Sequence, residues 1–249
     1  MMSKYNKALA IAAALVVSGA AHAQSAGSNV VSAGWLRVMP TGNADPLSVD
    51  SINVGGSSLP GPGVIPGTGA VMKDADTLGL SFEHYFTDNI GVELVAGIPP
   101  THDVHGSGAL STFGKLGTVK QWSPALLVKY HFFDAKTKFR PYVGLGLNYT
   151  WYTDETVTNQ QFVQGFAHGT GMTASASSSW NPVFNIGANY ALSENWFLGF
   201  SVSYLPVKTT ATFRTTGVPV APGVTGETVA RTKLAVNPVV TFLTVSYKF

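Results

Sequence analysis

Along most of this chain apolar residues alternate one for one with small or polar residues, and the two sets keep to opposite faces. The last stretch runs VVTFLTVSYKF: Val239, Thr241, Leu243, Val245, Tyr247 and Phe249 share one side, and Val240, Phe242, Thr244, Ser246 and Lys248 the other. A period of two marks a strand with two unlike faces. The pattern recurs. Leu78, Leu80, Phe82, His84 and Phe86 oppose Gly79, Ser81, Glu83 and Tyr85, and Ile90, Val92, Leu94, Ala96 and Ile98 oppose Gly91, Glu93 and Gly97. Leu126, Val128, Tyr130 and Phe132 oppose Lys129 and His131, and Leu145, Leu147, Tyr149 and Trp151 oppose Gly144, Gly146 and Asn148. Phe184 and Ile186 oppose Asn185 and Gly187, and Trp196, Leu198, Phe200 and Val202 oppose Gly199, Ser201 and Ser203. In a water-soluble barrel the bulky face would fill the lumen. Eight strands leave an interior only just wide enough for side chains. Glycine and serine suit that interior better than tryptophan and tyrosine, so the bulky face is expected to meet lipid.

Eight such stretches can be drawn, near 29–40, 74–86, 90–100, 116–133, 138–154, 177–192, 195–216 and 228–249. Tight turns rich in Asp, Asn and Ser join some of them: TDN at 87–89, DAKTK at 134–138 and SEN at 193–195. Long Gly-, Ser- and Pro-rich segments join the others, at 41–73, 101–115, 155–176 and 217–227. Short turns on one side and long loops on the other describe an outer-membrane barrel. The expected fold is all-β: an eight-stranded antiparallel transmembrane β-barrel with short periplasmic turns and long extracellular loops.

The beginning of the chain agrees with export. Lys4 and Lys7 precede the apolar run ALAIAAALVVSGA, and Ala21, His22 and Ala23 follow. A basic region, a short apolar run and a small-x-small site make residues 1–23 a cleavable signal peptide, leaving 24–249 as one barrel domain. The run is too short to span a bilayer as a helix. Without Lys4 and Lys7 the fifteen basic residues fall to thirteen, against thirteen acidic ones, so no basic footprint for nucleic acid remains. The chain has no cysteine, so an exported protein forgoes disulfides and draws its stability from the fold itself.

Several stretches, in their order and spacing, carry a likeness: SINVGGSSLP (51–60), NIGVELVAGIPPTHDV (89–104), WSPALLVKYHF (122–132), RPYVGLGLNYTWY (140–152), WNPVFNIGANY (180–190) and the terminal VNPVVTFLTVSYKF. Together they resemble the OmpW/AlkL family of small outer-membrane proteins of Gram-negative bacteria, over essentially all of 24–249. The resemblance implies an eight-stranded barrel that carries small hydrophobic compounds inward and releases them sideways through its wall into the outer leaflet. It implies contact with outer-membrane lipid and lipopolysaccharide, and Phe249 resembles the terminal signal read by the barrel-insertion machinery.

Prolines are the first candidate site. A proline removes a ladder donor, yet Pro124, Pro182, Pro206 and Pro238 fall inside strand-like stretches, nine to eleven residues from the short-turn ends. Pro99 and Pro100 stand nine and ten beyond Ile90. Ten tilted residues rise about 25 Å, the height of the apolar band. The prolines therefore form a ring near the outer membrane surface. Two readings stay open: broken pairing makes a lateral gap there, or the prolines merely bend strands where the wall flares. Below them, Glu83 and Glu93 are equidistant from Asp88 and need cations, for which Arg37 and Lys129 have the parity. A network of Arg37, Glu83, Glu93 and Lys129 would close the periplasmic end or simply fill the lumen. Above it, Trp35, Met39, Val95, Phe197 and Leu205, with Val54, Leu59 and Val64 from the first long loop, are candidates for an apolar lining.

THDVHGSG (101–108) suggests other chemistry. His102, Asp103 and His105 are possible metal ligands, and histidine with Ser107 hints at hydrolysis, but no third strong ligand follows at a fitting spacing. His168 is isolated in a Gly-rich loop. Neither a catalytic residue nor a metal or cofactor site is assigned. The expected function is a passive channel for small hydrophobic solutes. The rivals are a non-transporting surface barrel acting as receptor or stress-response structure, and a lipid-acting enzyme built on THDVHGSG.

Overall fold

The computed structural model describes residues 24–249; the expected signal peptide, 1–23, lies outside the described residues. Strands β1 (Asn29–Met39), β2 (Ser48–Val54), β3 (Ser57–Val64) and β4 (Thr68–Met72) are followed by β5 (Ala75–Tyr85) and β6 (Ile90–Gly97). Next come β7 (Thr101–Gly108), β8 (Lys115–Trp122), β9 (Ala125–His131) and the longest strand, β10 (Phe139–Val157). Then follow β11 (Gly171–Ala176), β12 (Ser179–Ala191), β13 (Trp196–Tyr204), β14 (Lys208–Ala221), β15 (Val224–Ala235) and β16 (Val239–Lys248).

Eight of these close a ring. The antiparallel order is β1–β5–β6–β9–β10–β12–β13–β16 and back to β1, so no edge is left unpaired. The alternating C-terminal stretch is β16, which pairs with β1 from Val30↔Lys248 to Met39↔Val239 and completes the closure. Hydroxyl side chains set the tight turns. Thr87 Oγ1 accepts the amides of Asn89 and Ile90, and Ser193 Oγ those of Asn195 and Trp196. The sidedness is that of a membrane protein. Leu78, Leu80, Leu145, Leu147, Phe200 and Val245 stand 47%, 48%, 58%, 58%, 50% and 47% exposed, while Ser81, Glu83, Lys129, Ser201 and Thr244 on the opposite face are buried. Such a continuous apolar belt needs hydrocarbon around it.

Beyond the ring the wall continues as two sheets. One is the upper part of β10 with β8, β7 and β4; the other runs β11–β14–β15–β2–β3. The segments read as long loops are thus largely strands. Residues 41–73 hold β2, β3 and β4 because β15 and β7 offer them partners. Gly55 and Gly56, both at positive φ, make the two-residue turn of the β2–β3 hairpin.

Three stretches expected as single strands are each broken near a proline, β8 from β9, β13 from β14 and β15 from β16, and β6 ends before Pro99 with β7 following in what was expected as loop. Pro182 differs. It stays inside β12 opposite Leu147, above Phe184↔Tyr204, where the β12–β13 ladder has already ended, so its missing N–H deprives no neighbour on that side.

Candidate functional site

The bore has three levels. Near the short turns, Glu83 and Glu93 face each other in register across the β5–β6 hairpin. Lys129 Nζ on β9 lies 2.5 Å from Glu93 and 3.6 Å from Glu83, and His131 Nε2, two residues along the same face, lies 2.7 Å from the other Glu83 oxygen. The ammonium also stands 4.4 Å from the Tyr142 ring centroid. Glycine makes the room. A Cβ at Gly91 would meet the Glu83 carboxylate, and one at Gly144 would press on Lys129 and Asn185. A cavity of about 20 Å³ lies against Glu83, Glu93 and Lys129. Beneath them the buried Arg140 donates to the carbonyls of Gln24 (3.0 Å) and Asp88 (2.6 Å), tying the chain's beginning to a turn.

Arg37 does not join this network. It shares a face with Trp35, and that face points outward: Arg37 pairs with Asp74 (2.9 Å) and Asp76 (3.1 Å), and the indole N–H of Trp35 donates to Asp76. Trp35, 47% exposed, is therefore not lumenal; Leu36 and Val38 face the bore in its place. Met39 shares the parity of Trp35. Leu59 and Val64 stand exposed on the β3 hairpin, well away from the bore, and Phe197 is buried at the short-turn end beside Gln24 and Arg140. Val95 and Leu205 do face the bore. His131 was missed, although it lies two residues from Lys129 and so on the same face.

At the proline level lies a cavity of about 300 Å³ with two kinds of wall. Leu36, Leu127 and Leu205 belong to the bore; Ile98, Trp122 and Trp151 belong to the outer surface. The cavity is therefore bounded by both inward-facing and outward-facing side chains. Backbone pairing explains where. The β6–β9 ladder ends at Val95↔Ala125 and the β7–β8 ladder resumes at Thr101↔Lys120; between them runs the Gln121 N–H to Pro100 carbonyl bond. On the other flank, the β5–β6 ladder ends at Gly79↔Gly97 with one further bond, Ile98 N–H to Leu78. Pro99, Pro100, Pro124 and Pro238 line the cavity, whereas Pro182 and Pro206 do not.

Above it, Leu205, Val207 and Val236, turned inward where β13 and β15 break, pack on Leu127 and Val183 as an apolar septum. Higher still, a cavity of about 110 Å³ is lined by Met72, Leu116, Val157, Phe162 and Leu234. Phe162 packs against Phe113 and Phe166, and the four-residue spacing of Phe162 and Phe166 in QFVQGF is the sequence signal for this cluster.

THDVHGSG becomes strand β7, and its alternation separates the suspected partners. His102 is buried with Nδ1 2.8 Å from the Lys73 carbonyl, while Asp103 points away to Lys115 at 2.7 Å. Among the described residues no three His, Cys, Asp or Glu side chains are placed to hold a metal ion.

Comparison with known proteins places this geometry. The OmpW family model matches residues 25–249. Outer membrane protein W of Vibrio cholerae serotype O1 is 36% identical over 178 residues, covering 69% of this chain and 73% of the relative. Outer membrane protein AlkL of Ectopseudomonas oleovorans is 28% identical over 198 residues, covering 80% and 74%. The crystal structure of OprG from Pseudomonas aeruginosa superposes with a TM-score of 0.70 at 30% identity, over 91% of this chain and 98% of that one. These relatives are outer-membrane barrels, not enzymes. A closed, lipid-belted ring with this match over its whole described length is a member of the OmpW family, resident in the bacterial outer membrane.

Proposed function

We propose that this barrel is a passive channel through which small hydrophobic molecules enter from outside and leave sideways into the outer leaflet. One observation carries the reading: the cavity beside Pro99, Pro100 and Pro124 has bore residues on one side and lipid-facing residues on the other. The charged plug below offers no comparable space. A hydrophobic solute gains about 25 cal/mol for each Å² of apolar surface it buries in the lining above. Selection is then by size and apolarity.

The test blocks the wall. Ala125 lines the cavity from the bore side, and Ala125→Trp puts an indole into it. Uptake of a labelled alkane by intact cells is expected to fall at least tenfold, with the barrel's heat-dependent gel mobility unchanged. Equal uptake with and without the protein would instead leave a surface barrel that acts as receptor or stress-response structure. Phe249, whose backbone bonds to Asn29, belongs to the same reading as the insertion signal. Its deletion is expected to reduce the fraction of assembled barrel.

A further inference from the structure

The septum has one polar side. Gln121 on β8 and Tyr152 on β10 are register partners facing the bore, 2% and 7% exposed. Tyr152 lines the upper cavity and Gln121 the lateral one, so the two residues bridge the levels that the apolar septum separates. Neither the Gln121 amide oxygen nor the Tyr152 hydroxyl has a hydrogen-bond partner. Their neighbours differ. One turn of the pleat below, Asn148 donates to Ser123 Oγ and the Pro124 carbonyl, Thr150 donates to Asn148, and Asn181 closes the set. Polar groups at this height are thus able to satisfy one another, yet this pair is left unsatisfied between the two cavities.

Buried polar atoms are normally paired, and an open pair calls for an explanation. A phenol O–H is a donor and an amide oxygen an acceptor. Their complement is a group that accepts one hydrogen bond and donates another, which describes a hydroxyl. We infer that Gln121 and Tyr152 form a relay station for hydrophobic solutes carrying a single hydroxyl, aliphatic alcohols and phenols, and that these cross the septum faster than hydrocarbons of equal length. The inference rests on the channel reading and narrows its solute class. An alkane passes the same station with both groups left unpaired, so it gains nothing there. A carbonyl compound accepts from Tyr152 but leaves Gln121 unsatisfied.

The experiment compares initial uptake of labelled 1-decanol and n-decane by intact cells expressing the protein, after subtracting cells that lack it. The wild type is expected to favour decanol several-fold. In Gln121→Met/Tyr152→Phe, which keeps volume and removes both polar groups, the ratio should fall to about one through loss of decanol flux. Tyr152→Phe alone, the milder change, should lower the ratio at least twofold, and serves if the double variant fails to assemble. An unchanged ratio in both variants, with decane still entering, overturns the relay and leaves the channel standing. If neither solute enters faster with the wild-type protein than without it, channel and relay fall together.

Discussion

The two ends of the bore are made of opposite materials. Around Lys129 the space is packed with carboxylates, an ammonium, an imidazole and tyrosine rings, leaving a cavity of about 20 Å³. Around Leu205 and Met72 the lining is aliphatic, and the cavities of about 300 and 110 Å³ are bounded chiefly by carbon. The wall differs in step. Beside the plug the ladders are continuous around all eight strands, while beside the aliphatic level four prolines interrupt them. Charge networks need fixed geometry, because a displaced partner leaves a desolvated ion. An apolar lining tolerates rearrangement, because dispersion and hydrophobic contacts are not directional. Under the proposed channel, the end that holds the charges has the rigid wall, and the end through which a solute would leave has the interrupted one.

The strongest way to break this contrast is to remove the cation. Lys129→Met leaves Glu83 and Glu93 facing each other without their shared ammonium. The loss is expected to be about 3–5 kcal/mol, the range for breaking a buried pair, measured by urea unfolding in lipid vesicles. Adding Glu83→Gln and Glu93→Gln should recover most of it. No recovery would mean that Lys129 matters for packing rather than charge. At the other end Leu205→Ala should cost about 2–4 kcal/mol through the cavity it leaves. The same change should raise alkane uptake, because it thins the septum. A plug variant destabilises without opening a hydrophobic route; a septum variant does both.

Amide hydrogen exchange sharpens the comparison without mutation. Amides of Gly97 and Ser123, which face the gap beyond the last pair Val95↔Ala125, should exchange well before those of Leu94 and Leu127, whose strands are paired on both sides. Equal protection across the two sets would remove the gap and leave only bent strands.

The two regions were unequally legible. The ring was readable because lipid outside and a narrow lumen inside impose one rule on every strand; Leu145 and Leu147 against Gly144 and Gly146 state it without ambiguity. Glu83 and Glu93 followed from counting outward from the turn at Asp88, and Lys129 from its parity on a strand between tight turns. Arg37 did not, because β1 has no tight hairpin turn to anchor its parity. The expectation that charge faces the lumen misled there, whereas Asp74 and Asp76 supply an outer-surface partner from far along the chain. The upper wall was harder. SINVGGSSLP looks like loop by composition and becomes a hairpin because β15 lies alongside, a pairing that no local window contains. The glycine pair at its tip was the one local clue.

The smallest expected effect tests whether the upper wall answers to acid where the ring does not. His102 sits at the junction of β4 and β7, outside the lipid belt, with its Nδ1 against the Lys73 carbonyl. Burial holds its imidazole below the ordinary value, and the Lys73 carbonyl and Asp74 only partly offset this. The ring is therefore neutral in the fold at neutral pH. As pH falls below about 6.5, the unfolded chain takes up a proton that the buried ring resists, so stability is lost from there down to the lower folded value. Amides of Met72 and Lys73 should lose protection between pH 7.5 and 5, after correction for intrinsic exchange, while that of Leu198 on the β13–β16 ladder should not. In His102→Gln, which keeps a donor for Lys73 but cannot titrate, the pH dependence at Met72 and Lys73 should vanish. If it persists, the sensitivity does not belong to His102, and the upper wall does not answer to acid through this buried ring.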